Sequence, residues 1–303
     1  MSNMIEGRGL IKRFDGLTAV AGIDFHVGNG ELLGFLGPNG AGKTTTLKMI
    51  YCAVPLTEGD LQVDGMQVGG ECRRIKAILG VAPQEENLDP DLTVEENLRV
   101  YARYFDLPKQ VARQRVLDLL RFFQLEEKAK SHIESLSGGM KRKLIIARAL
   151  VNQPRILILD EPTVGLDPQS RHSVWQRLTR LRSQGITMII STHNMEEAAY
   201  LCDRVIVMHL GRILAEGKPA DLVNQHTEGT VTEVRLDAQP GAPLLKELAR
   251  RQIAAVHVED VLYLFTQVEP DVLQGMGIPS ASLVQRPANL EDVFLRLTGT
   301  ELA

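Results

Sequence analysis

The sequence predicts an α/β fold in which helices flank a mostly parallel β-sheet. Short, wholly apolar runs, such as residues 32–36 and 156–159, recur along the chain, as buried parallel strands do. Segments with apolar residues at helical spacing separate these runs, and a glycine-rich loop follows the first of them. The chain has 303 residues, of which 44% are hydrophobic. This length accommodates one large domain with a smaller appendage.

Residues 4–30 differ from this pattern because their apolar and polar positions alternate. Turn residues follow at Asp15 and Gly16, so the segment predicts an N-terminal antiparallel β subdomain with one exposed face. Phe14 lies just before that turn. Its position fits either a core aromatic residue or a ring that faces a ligand.

The loop after the first apolar run has the spacing of a phosphate-binding loop. Four residues separate Gly37 from Gly42, Lys43 and Thr44. Glycines let successive N–H groups surround phosphate oxygens, Lys43 can reach the β- and γ-phosphates, and the Thr44 hydroxyl can bind Mg²⁺. An apolar strand precedes the loop and an amphipathic helix follows it, as such a loop requires. The sequence therefore predicts a P-loop NTPase core that binds a nucleoside triphosphate.

The middle of the chain changes to a helical pattern. An apolar run over residues 78–82 predicts a strand that leads to Gln84. Thr93 and Glu96 then have the spacing of a capping box at the start of a long helical pattern. We therefore expect a helical subdomain, at about residues 85–135, inserted into the nucleotide-binding domain.

A second glycine-containing turn precedes another amphipathic helix. Ser137 is a suitable N-cap for this helix, and Gly138 and Gly139 leave its first N–H groups open to an anion. By itself this pattern fits a simple capped helix as well as an anion site.

Two further apolar runs lead to side chains that are typical of catalytic sites. One ends at Asp160 and Glu161, which predicts a carboxylate for Mg²⁺ and a second carboxylate beside an attacking water. The other leads to His193. Because ligands bind beyond the carboxyl ends of parallel strands, the phosphate loop, Gln84, the two carboxylates and His193 should share one site.

Composition limits the classes of partner. The net charge of −4 gives no electrostatic basis for a nucleic-acid partner. Cys52, Cys72 and Cys202 lack the spacing of metal ligands and fit small buried residues in a reducing compartment. The first residues lack the apolar core of a signal peptide, and no apolar run approaches the roughly 18 residues of a membrane span. We therefore expect a cytoplasmic protein.

As an ordered set, these motifs resemble the ATP-binding subunits of ABC transporters over about residues 4–220. The resemblance rests on the phosphate loop, Gln84, the LSGGM segment, the Asp160 turn, Asp167 in a GLD segment, and His193. It implies an ATPase in which two copies of the chain, paired head to tail, hold two ATP molecules with Mg²⁺. It also implies a separate multi-span membrane permease, so that the protein lies peripherally on the inner face of the cell membrane.

The resemblance also implies a role for each motif residue. ATP contacts are implied for Phe14, Val20, Gly37, Pro38, Asn39, Gly40, Ala41, Gly42, Lys43, Thr44 and Thr45. Roles in Mg²⁺ ligation are implied for Thr44, Gln84 and Asp160, and roles in catalysis for Glu161, His193 and Gln84. Contacts with the ATP of the other copy are implied for Ser137, Gly138, Gly139 and Asp167.

Two features narrow the resemblance to exporters. Met140 stands where the commoner family motif has glutamine, as in the ABC-2-type exporters for antibiotics and nodulation signals. Residues 289–299 resemble the ends of the same exporter ATPases. We therefore expect an ABC-type ATP-binding domain over residues 1–220 and a small α+β accessory domain over residues 221–303. In the accessory domain, strands are predicted at 231–236 and 256–265, and helices at 244–250 and 290–297.

Two other classes of protein share part of this motif set. An ABC-type ATPase that acts on nucleic acid or the ribosome is the main alternative, but the chain has neither the long coiled coil nor the second motif set of such proteins. The other is a simple P-loop kinase or GTPase, but in such a protein the Ser137 turn and His193 would have no role.

Overall fold

The computed structural model describes residues 3–236, 242–276, 278 and 282–299. Within these residues the chain forms fourteen β-strands and eleven α-helices, and the strands make three sheets. The strands are β1 (Asn3–Phe14), β2 (Leu17–Gly28), β3 (Leu32–Leu36), β4 (Glu58–Val63), β5 (Met66–Gln67), β6 (Leu79–Ala82), β7 (Ile156–Asp160), β8 (Thr187–Thr192), β9 (Arg204–His209), β10 (Arg212–Gly217), β11 (Thr230–Arg235), β12 (Ala255–Val258), β13 (Val261–Leu264) and β14 (Leu283–Pro287). The helices are α1 (Lys43–Ile50), α2 (Cys72–Ile78), α3 (Val94–Tyr104), α4 (Lys109–Phe123), α5 (Gly138–Ala149), α6 (Pro168–Ser183), α7 (Met195–Leu201), α8 (Pro219–Thr227), α9 (Ala242–Arg250), α10 (Pro270–Gln274) and α11 (Leu290–Thr298).

The central sheet has the strand order β10-β9-β3-β8-β7-β6. Strand β3 is parallel to β8 and β9, β7 is parallel to β8 and β6, and β10 runs antiparallel to β9. Every residue of β3, β7 and β8 is buried, which explains the apolar runs over residues 32–36, 156–159 and 188–190. The predicted mostly parallel sheet is confirmed.

The first two strands belong to a separate antiparallel sheet with the order β2-β1-β4-β5. Asp15 and Gly16, which both have positive φ angles, form the turn between β1 and β2. The buried face of this sheet packs on the central sheet, where the Phe25 and Phe35 rings meet edge to face with centroids 5.2 Å apart. Helix α1 joins the same apolar cluster through Leu47 and other residues. The predicted N-terminal antiparallel sheet is confirmed.

The opposite face of the central sheet is covered by helices, and Phe123 and Trp175 are fully buried between them. The long helical pattern after Thr93 forms two helices, α3 and α4, rather than one. Asp106 has a φ of 53°, and Pro108 precedes α4 at its N-cap, so the helix cannot continue through this segment. The predicted capping box is confirmed, since the Thr93 side chain accepts the Glu96 N–H and the Glu96 side chain accepts the Thr93 N–H.

The third sheet lies in the last part of the chain and has the order β12-β13-β11-β14, with all neighbours antiparallel. Residues 256–265 form the hairpin β12–β13 instead of one strand, because the chain reverses at Glu259, whose φ is 52°. Helix α11 packs against α7 and α8. Its Val293 and Phe294 side chains belong to the same apolar cluster as the main helices. Among the described residues, none of the helices combines the length and the apolar character that a membrane crossing requires.

Candidate functional site

The sequence motifs meet at the carboxyl edge of the central sheet. The phosphate loop follows β3, Gln84 follows β6, Asp160 ends β7, and His193 follows β8. These four strands are parallel and adjacent, so the topology brings their ends together. A groove of about 360 Å³ opens at this edge. Its lining consists of Phe14, Leu17, Thr18, Ala19, Pro38, Asn39, Gly40, Ala41, Gly42, Lys43, Thr44, Thr45, Gln84, Glu161 and Leu210.

The phosphate loop needs glycine for steric reasons. A Cβ atom on Gly37 would lie 2.2 Å from the Met208 carbonyl oxygen, and one on Gly42 would lie 2.6 Å from the Ala19 carbonyl oxygen. Gly42 also has a φ of 102°, which L-residues with side chains rarely adopt. Strands β2 and β9 therefore hold the loop close against the sheet, with its N–H groups beside the groove.

Lys43 is only 4% exposed at the start of α1. Its Nζ donates hydrogen bonds to the carbonyl oxygens of Gly37, at 2.7 Å, and Pro38, at 3.1 Å. The same atom lies 3.3 Å from Glu161 Oε1. The ammonium group is thus fixed between the loop backbone and a buried carboxylate, where it can meet a phosphate oxygen.

The oxygen atoms near Thr44 fit a small divalent cation. The Thr44 hydroxyl donates to Asp160 Oδ1 at 3.0 Å, and the Ser191 hydroxyl donates to the same carboxylate oxygen. Asp160 is 4% exposed. Hydroxyl and carboxylate oxygens are hard ligands of the kind that Mg²⁺ prefers, and Mg²⁺ is commonly held by few protein oxygens together with phosphates.

Glu161 has an unusual backbone conformation next to this cluster. Its φ of 47° lies in the left-handed region, which is unfavourable by about 1–2 kcal/mol for a residue with a side chain. The conformation is held by the Glu161 N–H, which donates to both the carbonyl and the hydroxyl oxygens of Ser191 at 3.1 Å. Glu161 Oε2 lies 2.9 Å from His193 Nδ1. The buried carboxylate therefore faces both Lys43 and His193.

Ser191 and Arg142 are site residues that the sequence analysis did not identify. The Arg142 guanidinium, on α5, donates to the carbonyl oxygens of Pro162 at 2.7 Å, Asp160 at 2.8 Å and Pro83 at 2.5 Å. It thereby ties the segment before Gln84 to the Asp160 turn. Burial lowers the pKa of Arg142 to about 10, against the opposing negative charges of nearby carboxylates. A serine at a strand end and an arginine within an amphipathic helix carry no distinctive sequence signal.

Phe14 and Val20 have different surroundings, although both were predicted to contact ATP. The Phe14 ring is 42% exposed, lines the groove, and has Lys12 Nζ 4.6 Å from its centroid. Val20 is fully buried and is not part of the groove lining among the described residues. The groove lining instead includes Thr18 and Ala19, the two residues that precede Val20 on β2.

The second set of predicted ATP contacts lies elsewhere. Ser137 caps α5, with its hydroxyl accepting the Met140 N–H at 3.3 Å, and Asp167 caps α6 by accepting the Ser170 N–H at 2.9 Å. The two helix starts are neighbours, since a Cβ atom on Gly139 would lie 2.4 Å from Ser170 Oγ. As far as the described residues show, the groove lining includes neither Ser137, Gly138, Gly139 nor Asp167.

Comparison with known proteins places this arrangement in a family. Residues 20–164 match the family model described as ABC transporter. Two relatives are named Nod factor export ATP-binding protein I. The one from Ralstonia nicotianae is 45% identical to this chain, and the match covers 97% of this chain and 93% of the relative. The one from Burkholderia orbicola is 46% identical, and the match covers 98% of each. The chain belongs to the ABC transporter family of ATP-binding proteins. It is an ABC-type ATPase.

Further matches concern the C-terminal part of this ABC ATPase and its fold. Residues 241–299 match the model for the C-terminal domain of the nodulation factor export protein NodI. A solved structure described as an ATP binding subunit of an ABC transporter is 31% identical, with a TM-score of 0.67 over 73% of this chain and 92% of that chain. A dimeric ATP-binding cassette in a post-hydrolysis state with ADP and Pi is 29% identical, with a TM-score of 0.65 over 71% of this chain and 98% of that chain.

Proposed function

We propose that this ABC ATPase drives an exporter by closing two ATP molecules between two copies of the chain. The proposal rests on the separation of the phosphate-loop groove from the Ser137 turn within one chain. The phosphate-loop groove and the Ser137 turn are both present, yet the turn lies outside the groove lining among the described residues. A head-to-tail pair supplies each groove with the helix start of the other copy, and that helix N-terminus favours an anion. The dimeric relative and the export function named for the curated relatives support the proposal.

The groove residues divide the work of ATP binding. Backbone N–H groups of the loop over residues 37–45 surround the triphosphate, Lys43 binds the β- and γ-phosphates, and the exposed Phe14 ring stacks on adenine. Thr44, Asp160 and Gln84 hold Mg²⁺, which neutralises charge on the phosphates when it is bound. In the closed dimer, Asp167 lies at the boundary between the copies.

Hydrolysis depends on the buried carboxylate. Glu161 accepts a proton from the water that attacks the γ-phosphorus, and the bond to the β-γ bridging oxygen breaks to give ADP and phosphate. Lys43 compensates charge on the phosphates, and His193, next to Glu161, contacts the γ-phosphate. Ser137, Gly138 and Gly139 of the other copy enclose that phosphate.

The remaining parts of the chain connect this cycle to a membrane. We assign residues 1–220 to the ATP-binding domain, with the inserted helices at about 85–135, and residues 221–303 to an accessory domain. A separate multi-span permease receives the motion through the segment near Gln84, and the ATPase lies on the cytoplasmic face through this partner. ATP binding closes the two rigid bodies and hydrolysis reopens them.

Glu161→Gln tests the ATPase cycle. We expect this variant to bind ATP and to accumulate as a closed dimer in light scattering, with turnover reduced at least about 100-fold because the general base is lost. Lys43→Ala is the control, since it should lose ATP binding and remain monomeric. A Glu161→Gln protein that stays monomeric at saturating ATP contradicts the dimer cycle.

Co-expression with a multi-span permease tests the exporter. We expect the ATPase rate of the purified complex to exceed that of the isolated chain. If DNA or ribosomes stimulate the rate and the permease does not, the non-transport class of ABC ATPase is the correct one.

A further inference from the structure

A buried carboxylate that no proposed step uses lies behind the site. Glu197 is in the first turn of α7 and is 1% exposed. Its Oε1 accepts hydrogen bonds from the Thr163 hydroxyl at 2.6 Å and from Trp175 Nε1 at 3.0 Å. The nearby Thr192 side chain lowers the pKa of this carboxyl group, and the Glu197 N–H donates to Asn194 Oδ1 at 2.9 Å, just after His193.

These neighbours of Glu197 come from the segments that carry the proposed reactive groups. Thr163 follows Glu161 by two residues, and Thr192 immediately precedes His193. Trp175 lies on α6, whose N-cap residue is Asp167. One carboxyl group therefore joins the turn after β7, the end of β8 and the helix that begins at the proposed dimer boundary.

The electrostatic environment makes Glu197 sensitive to the loss of any of its partners. Burial raises the pKa of Glu197, the Thr163, Thr192 and Trp175 side chains oppose this effect, and the negative charge of Glu161 raises it further. The Arg142 guanidinium provides compensating positive charge for Glu197, Asp160 and Glu161. A buried carboxyl group in such a network is unfavourable unless each partner remains in place, so loss of one donor disturbs the others.

We infer that Glu197 is a positioning residue, whose carboxylate holds the Thr163 and Thr192 segments so that Glu161 and His193 keep their relative placement at the γ-phosphate. This inference rests on the roles proposed above for Glu161 and His193. The left-handed backbone of Glu161 makes such support necessary, because an unfavourable conformation persists only where its surroundings hold it.

A double-mutant cycle between Glu197 and Thr163 tests the inference. Thr163→Val has the same shape without the hydroxyl, Thr163→Ser keeps the hydroxyl, and Glu197→Gln removes the charge. We expect Thr163→Val and Glu197→Gln each to lower kcat about 10- to 100-fold, because small misplacements of reactive groups have effects of that size. The KM for ATP and equilibrium ATP binding should change less than about twofold, since neither side chain lines the phosphate loop.

The combination of changes gives the decisive result. If Glu197 acts through Thr163, the double variant should be no slower than the slower single variant, because coupled residues are not additive. Thr163→Ser should retain most of the wild-type kcat. Glu196→Gln is the matched control, because the neighbouring Glu196 side chain is 62% exposed and lies outside this network.

The single tryptophan provides a readout that does not depend on activity. The fluorescence emission of Trp175 should shift in Glu197→Gln, since its Nε1 partner changes, and kcat is compared at a temperature at which every variant is fully folded. Additive losses of kcat, or losses that follow only the folded fraction, overturn the positioning role. A wild-type chain without ATPase activity would instead overturn the proposed function, so the two failures are distinguishable.

Discussion

At the residue scale, the three cysteines differ in their surroundings. A hydrogen bond from Cys52 lowers the pKa of Cys72, with further help from the Gly69 N–H and the charge of Lys76. Burial and the contact with Cys72 raise the pKa of Cys52 to about 12, and complete burial raises the pKa of Cys202 well above its usual value. Since the thiolate is the nucleophile, reactivity should follow this order.

We therefore expect iodoacetamide at neutral pH to alkylate Cys72 first in the folded protein, and Cys202 last. Peptide mass spectrometry over a time course measures the three rates separately. In urea all three thiols should react at similar rates, which serves as the control. Equal rates for Cys72 and Cys202 in the folded state would show that the described environments are wrong.

The site residues that could be predicted from the sequence are those that combine a rare spacing with a reactive side chain. Lys43, Thr44, Asp160 and Glu161 meet this condition, and the structure brings them together as expected from strand ends. Ser191 could not be predicted, because its role depends on which strand lies beside β7. The same limit applies to Glu197, which has the sequence pattern of an ordinary exposed helix start.

At the element scale, Glu31 connects the first sheet to the central sheet. Its carboxylate accepts hydrogen bonds from the Gly28 N–H and from Arg204 on β9. Burial by itself raises the pKa of Glu31, but the Arg204 and Gly28 hydrogen bonds outweigh burial and the net pKa is lowered. Because the folded-state pKa lies below the unfolded one, the carboxylate contributes stability above about pH 4.3, which is lost as pH falls through the folded-state pKa.

Glu31→Gln should therefore reduce the free energy of unfolding by about 1.5–3 kcal/mol at pH 7, the usual range for hydrogen bonds to a charged group. The difference from the wild type should shrink as the pH falls below about 4. Urea unfolding at several pH values measures this difference in the free energy of unfolding. Glu6→Gln removes the exposed partner of Arg8 and should have no measurable effect. A difference that grows towards acid pH would mean that the sign of the pKa shift is wrong.

Gly80 on strand β6 lies so close to the end of α5 that there is no space for a side chain at this position. A Cβ atom there would lie 2.0 Å from the Ala149 carbonyl oxygen. Gly80→Ala should therefore lower the free energy of unfolding by about 1–3 kcal/mol, because backbone must move to admit the methyl group. Gly70→Ala is the control, since no heavy atom outside its chain neighbours lies within 4 Å of the added Cβ. Equal stability of the two variants would contradict the close packing of β6 on α5.

Strands could be predicted from the sequence where both of their faces are completely buried in the central sheet. The sequences of β3 and β7 are continuous apolar runs, and each strand lies within one residue of its prediction. Strands β9 and β10 end on no motif and were not predicted. The hairpin β12–β13 could not be separated from a single strand, since its reversal depends on the φ of Glu259 and not on glycine or proline.

At the scale of the whole molecule, the proposed dimer makes each ATP site from two chains. Ser137→Arg should abolish turnover, because a bulky cation replaces the small cap that meets the other copy's ATP. ATP binding to the monomer should be nearly unchanged, since Ser137 does not line the groove among the described residues. Loss of the cap alone reduces stability by about 1 kcal/mol, so Ser137→Ala controls for the cap. Loss of ATP binding in monomeric Ser137→Arg would contradict the assignment.

Mixing two inactive variants tests the arrangement more directly. Lys43→Ala disables the phosphate loop and Ser137→Arg disables the facing turn, so neither variant can form a complete site with a second copy of itself. A mixed head-to-tail dimer has one site in which both parts are intact, because the loop and the turn of that site come from different chains. Random pairing of equal amounts should therefore restore up to roughly a quarter of the wild-type ATPase rate. A loop and a turn that served the same ATP within one chain would leave the mixture inactive, because every chain then carries a defective site.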